Sequence, residues 1–153
     1  KENKPTFKLS TFNPTYVFGP QAFDSEVRGT LGTCAEIINS IIKLKPGEDV
    51  NEASDAWIDV RDVAKAHLAA FEKEEAIGQR LVLRESRFTH DDLLKLILSN
   101  FPQFKGKISE ESSGARPQFA VLDFSHTDKL LGFKYITLEQ SVIDSIKQII
   151  ANQ

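Results

Sequence analysis

Among its 153 residues this sequence has no methionine, a single cysteine (Cys34) and only three histidines. One cysteine rules out an internal disulfide and fits a reducing compartment. Scattered histidines beside one cysteine give no metal cluster with workable ligand spacing, so no metal is expected. Lysine and arginine number 19 against 22 aspartates and glutamates, a net charge of −3. A nucleic-acid or anionic-membrane partner needs a concentrated basic face, so neither is expected. No apolar run approaches the ~20 residues of a membrane span. The chain opens Lys1-Glu2-Asn3-Lys4 with no apolar segment behind it. No signal peptide is therefore expected, and a cytoplasmic location is. The missing initiator fits either its removal or an internal starting point.

Both glycine signatures of nucleotide-binding α/β domains are also missing. There is no Gly-x-Gly-x-x-Gly after a strand, and no phosphate loop of the form Gly-x-x-x-x-Gly-Lys-Ser/Thr. Internal repeats and low-complexity tracts are absent too.

What is present alternates between strand and helix patterns, which argues for an α/β class. Residues 6–12 alternate and favour a strand, which Asn13-Pro14 should end because Pro14 has no N–H for a ladder. The run Thr11-Phe12-Asn13-Pro14-Thr15-Tyr16-Val17-Phe18-Gly19-Pro20 then has the form of a strand end opening into a ligand crevice. A helix follows, with Leu31, Cys34, Ile38 and Ile41 as its apolar stripe. Its start, Thr33-Cys34-Ala35-Glu36, has the capping-box form. Trp57-Ile58-Asp59-Val60 reads as a short strand, with Asp62 as cap of a helix from Val63. Residues 79–84 read as another strand. Thr89 should cap a helix carrying Leu93, Leu94, Ile97 and Phe101. Residues 105–118 read as a loop, either solvated or a lid, and 119–123 as a short strand. Gly132 should stop a short helix. Leu138, Val142, Ile146 and Ile149 mark the last one.

Taken singly, the candidate site residues allow two readings. Free N–H groups around Cys34, at the first turn of its helix, favour a polar or anionic group and can make the thiol reactive. The same residue also fits a buried place on the apolar stripe. Tyr16 suits the wall of a pocket for small apolar carbonyl compounds, or a buried structural tyrosine. Asp59, Arg61 and Asp62 can meet a charged substrate, but one aspartate is expected simply to cap a helix. His67 falls on an apolar face and is expected to be a core histidine. His90 and His126 carry no triad signal.

Three motifs in order resemble one family. They are Asn13-Pro14-Thr15-Tyr16-Val17-Phe18-Gly19-Pro20-Gln21, Trp57-Ile58-Asp59-Val60-Arg61-Asp62-Val63-Ala64-Lys65-Ala66-His67, and Leu130-Leu131-Gly132-Phe133-Lys134 before an amphipathic helix; Ile77-Gly78-Gln79-Arg80-Leu81 adds to them. Together they resemble the extended short-chain dehydrogenase/reductases, in the branch that holds dihydroflavonol reductases and the yeast NADPH-dependent methylglyoxal and isovaleraldehyde reductases. The resemblance runs over almost the whole chain.

The resemblance implies a C-terminal part of a Rossmann-type α/β reductase: one or two strands of a parallel sheet plus the smaller substrate-binding subdomain. It implies NADPH as cofactor and a small aldehyde or ketone such as methylglyoxal as substrate. Pro14, Thr15, Val17 and Cys34 then fall at cofactor-contacting places, and Tyr16 at the substrate. Cysteine is a departure at position 34, where the yeast reductases carry a small hydroxyl residue. The family's Tyr-x-x-x-Lys is not in this chain: Pro20 stands four residues after Tyr16, and Glu139 four after Tyr135. No catalytic residue is therefore expected here, and the dinucleotide-binding N-terminal half is the expected partner. Without it, strand exchange or self-association of the chain is expected. Two alternatives stay open: a nucleotide-sugar epimerase or dehydratase of the same fold, and a non-catalytic binding or interaction module.

Overall fold

The chain passes between two small sheets within the stretch that the sequence singles out. The structure, a computed structural model, describes residues 6–28, 31–114, 117–118 and 123–152. Strand β1 (Thr11–Pro14) pairs in parallel with β4 (Arg80–Leu83). Strand β2 (Tyr16–Phe18) pairs in parallel with β3 (Ser54–Asp59), which pairs antiparallel with β5 (Ser86–Thr89). Only Thr15 separates β1 from β2, so it is the crossing point between the sheets.

This corrects two expectations. The first strand begins later than expected and runs through Pro14, which sits opposite Leu83. The N–H groups of Thr11 and Thr15 bond to the carbonyls of Gln79 and Leu83. Alternation along the strand then points the position of Pro14's missing N–H away from β4, where a proline costs the ladder nothing. The supposed crevice loop at 16–18 is itself a strand.

Five α-helices stand among the described residues: α1 (Thr33–Ile41), α2 (Val60–Glu72), α3 (His90–Asn100), α4 (Ser125–Leu131) and α5 (Leu138–Asn152). Helix α3 has the capping box that its sequence predicts, with Thr89 and Asp92 exchanging bonds. Helix α1 lacks one. Gly32 stands at the cap without a side-chain bond, Thr33 is the first helical residue, and Glu36 bonds Asn39 instead. Helix α2 is capped by Asp59, whose side chain accepts from the Arg61 N–H. Asp62 is not the cap; it is buried and accepts from the Ile136 N–H at 2.7 Å. Gly132, at φ 70°, stops α4 as its sequence predicts. The strand expected at 119–123 falls mostly outside the described residues.

Both sheets contribute to one core. Leu81 and Leu83 of the first sheet and Ile58 of the second pack with Ala66 of α2 and Leu131 of α4. Phe18, Trp57, Phe88, Leu93, Ile97 and Ile146 join the second sheet to α3 and α5. Each such large side chain contributes about 1.5–3 kcal/mol on full burial. No helix among the described residues is long and apolar enough to cross a membrane.

Candidate active-site wall

A cleft of about 540 Å³ opens where β2 leaves its sheet and α1 begins. One wall is Val17, Gly19, Pro20 and Gln21; facing it are Thr33 and Cys34. Val60 also lines it. Val17 and Cys34, expected at the cofactor from two distant stretches, thus share one cavity. Cys34 is half-buried, so it is neither a core residue nor fully open. Pro14, Thr15 and Tyr16 do not line the cleft.

Thr15 donates both its N–H and its hydroxyl to the Leu83 carbonyl, each at 3.1 Å. Its backbone donor is therefore engaged within the sheet rather than turned to a ligand. Tyr16 packs edge-on to Phe88, with ring centroids 6.0 Å apart. Phe18 is fully buried against Trp57 and Phe88.

The cleft is held from below by an ion network. Arg61 grips Asp59 through Nε and Nη2 at 2.9 and 2.8 Å, and reaches Asp144 of α5 through Nη1 at 2.7 Å. Burial would push the Asp59 carboxyl up, but the Arg61 hydrogen bonds and charge outweigh it and hold the carboxyl below the usual aspartate value. The Arg61 guanidinium, bonded to Asp59, is held above its ordinary value. These charges pair with one another, and Asp59 is fully buried.

His67 is not a core residue. It is exposed on α2, with its ring stacked on Phe12 at 4.1 Å. Both lie beside the free side of β1, where no strand pairs among the described residues. Phe7, Leu9 and Phe71 are 69%, 60% and 92% exposed along the same region of β1 and α2.

The cleft's chemistry suits part of a nicotinamide cofactor. Its lining has no lysine or arginine and one carboxylate, Glu26, so no cationic side chain meets a phosphate there. Apolar Val17 and Val60 beside the polar start of α1 fit a flat uncharged ring bearing an amide. Sequence reasoning placed Gly19 and Pro20 within the crevice stretch but named neither Val60 nor Gln21 as part of the site. Among the described residues no three potential metal ligands cluster.

No protein-family model matches the chain. The NADPH-dependent methylglyoxal reductase of Saccharomyces cerevisiae is 45% identical over 156 residues, covering 98% of this chain and 46% of the relative. A putative NADPH-dependent methylglyoxal reductase of Candida albicans is 43% identical over 98% of the chain and 45% of its own length. The crystal structure of Gre2 from Candida albicans in complex with NADPH superposes with a TM-score of 0.92 at 45% identity, over 99% of this chain and 46% of that one. The chain, spanning a little under half the length of these relatives, is a homologue of the NADPH-dependent methylglyoxal reductases with their mixed α/β fold.

Proposed function

We propose that this chain is the carboxyl-terminal half of an NADPH-dependent carbonyl reductase acting on small aldehydes and ketones such as methylglyoxal. The observation that carries the reading is the joining of Val17 and Cys34 in one cleft whose single charged lining residue is Glu26, in a chain 45% identical to a reductase of that name. NADPH, when bound, supplies the hydride. Val17, Val60 and the 19–21 wall would bound the nicotinamide side of the pocket and exclude water from it. The amide groups at the start of α1, with Cys34, would meet the cofactor's polar edge. Pro14 and Thr15 would set where the cleft begins, by fixing the crossing between the two sheets. Tyr16, edge-on to Phe88, would form the substrate side.

The proton donor and the phosphate-binding groups lie in an amino-terminal half, which pairs with the free side of β1 and covers Phe12, His67 and Phe71. The exposure of His67 and Phe71 supports this placement. A reducing, cytoplasmic setting agrees with one unpaired, half-buried cysteine.

The test is reconstitution. The chain alone should leave NADPH unoxidised in the presence of methylglyoxal, and adding a separately purified amino-terminal half should restore turnover. Turnover by the chain alone would overturn the assignment of catalysis to the other half. Failure of the full-length protein to reduce any small carbonyl compound would overturn the function itself.

A further inference from the structure

The cleft wall at 19–21 has a back as well as a front. Its front faces the cavity with Val17, Thr33 and Cys34. Its back faces α5 across a void of only about 10 Å³, bounded by Gly19, Gln21, Ser145 and Gln148. A void of that size holds at most one water, so wall and helix are effectively in contact.

Gln148 makes that contact specific. Its Oε1 accepts the Gln21 N–H at 2.7 Å, and its Nε2 donates to the Gln21 carbonyl at 3.0 Å. The same Nε2 donates to Asp24 Oδ1 at 2.9 Å. One side-chain amide therefore satisfies both backbone groups of Gln21, as a paired strand would. A carboxylate at this position accepts from the N–H but opposes the Gln21 carbonyl and Asp24. An aliphatic side chain does neither. Gln148 does not line the cleft.

We infer that Gln148 is a positioning residue: it fixes the Gln21 backbone from behind and so sets the cleft wall against which the cofactor ring rests. The inference rests on the proposed reductase function. Pre-set walls matter because ordering a loop at the moment of binding weakens affinity.

The test uses the full-length reductase, with NADPH fluorescence titration and hydrogen exchange at the Gln21 amide. In Gln148→Leu that amide should exchange about tenfold faster or more. NADPH affinity should weaken about three- to tenfold, through loss of two backbone hydrogen bonds. Gln148→Glu should lie between Leu and wild type. Asn152→Ala, which removes only a bond to the Gln148 carbonyl, should bind NADPH within about twofold of wild type if helix stability alone is unimportant to the wall. Faster exchange in Gln148→Leu with unchanged NADPH affinity would overturn the inference. Should Gln148→Leu not fold, unchanged affinity in Gln148→Glu would overturn it equally. A wild-type protein that binds no NADPH would overturn the reductase reading itself, and no variant is needed to see that.

Discussion

Gly19 lies directly over the carboxylate of Asp59. A Cβ placed on Gly19 would stand 3.1 Å from Asp59 Oδ2 and 2.8 Å from Val60 Cγ1. Its φ of 118° is itself a conformation that side chains disfavour. The close approach lets the cleft wall rest on the cap of α2, and through Arg61 and Asp144 on α5. Gly19→Ala should therefore cost about 2–4 kcal/mol, from backbone strain and overpacking together. Urea unfolding of wild type and variant measures it. A loss below about 0.5 kcal/mol, the range of an ordinary surface change, would mean that wall and cap are not in contact.

The same neighbourhood shows what was legible in the residues. Asp59 and Asp62 stand three apart, and either type caps helices well. The choice fell to Asp59 because β3 runs into α2 with no intervening turn, a tertiary fact with no local signature. Thr33 resembles a cap but lies one residue inside the helix, whereas Thr89 and Asp92 have the full reciprocal pair that local sequence can encode. Strand β5 escaped because Ser86-Arg87-Phe88-Thr89 has one large apolar residue, and its pairing partner lies some thirty residues away. The motifs carrying the family resemblance were legible, whereas the sharing of one cleft by Val17 and Cys34 was not, because it needs β2 and α1 brought side by side. Gln148 was not, because a glutamine on a helix signals nothing until its partner's backbone is in place.

Residues 105–114 are tied down rather than freely solvated. Asp91 is buried, and it accepts from Ser112 Oγ at 2.6 Å, Gly114 N at 2.9 Å and Ser113 N at 3.0 Å. Asp91→Ala should lower stability by about 2–4 kcal/mol, since it removes several bonds to one charge. It should also open a new proteolytic site near Ser112. Unchanged protease resistance of that segment would show that the loop is held by something else.

Acid should destabilise the chain in two steps. Burial depresses the His90 imidazole below its ordinary value, the larger effect, against a raising pull from Asp91. The unfolded state then binds more protons, so stability is present above about pH 6.5 and begins to fall below it. Burial pushes the Asp91 carboxyl up, but the bonds from Ser112, Ser113 and Gly114 prevail and hold it below the usual aspartate value. Asp59 behaves the same way. Their contribution is present above about pH 4 and is lost as pH falls through the lowered folded values. A melting temperature followed from pH 8 to pH 3 should decline gently, then steeply. His90→Gln should flatten the upper step and leave the lower one. An unaltered upper step in that variant would assign it to another group.

The free side of β1 makes the most general prediction. Phe71 is 92% exposed, Phe7 and Leu9 are more than half exposed, and half-buried Phe12 stacks on the His67 ring. A strand with one free edge beside apolar side chains is a template for another chain. Light scattering of the isolated chain should therefore show concentration-dependent self-association. Leu9→Lys with Phe71→Lys should reduce it, because a charge on an edge opposes pairing. If that association occupies the surface meant for the amino-terminal half, the same double substitution should also weaken reconstitution of methylglyoxal reduction. Adding the amino-terminal half to the unaltered chain should dissolve the self-associated form. A chain that stays monomeric at all concentrations would remove the first step. Substitutions that abolish self-association but leave reconstitution intact would show that the two partners use different faces.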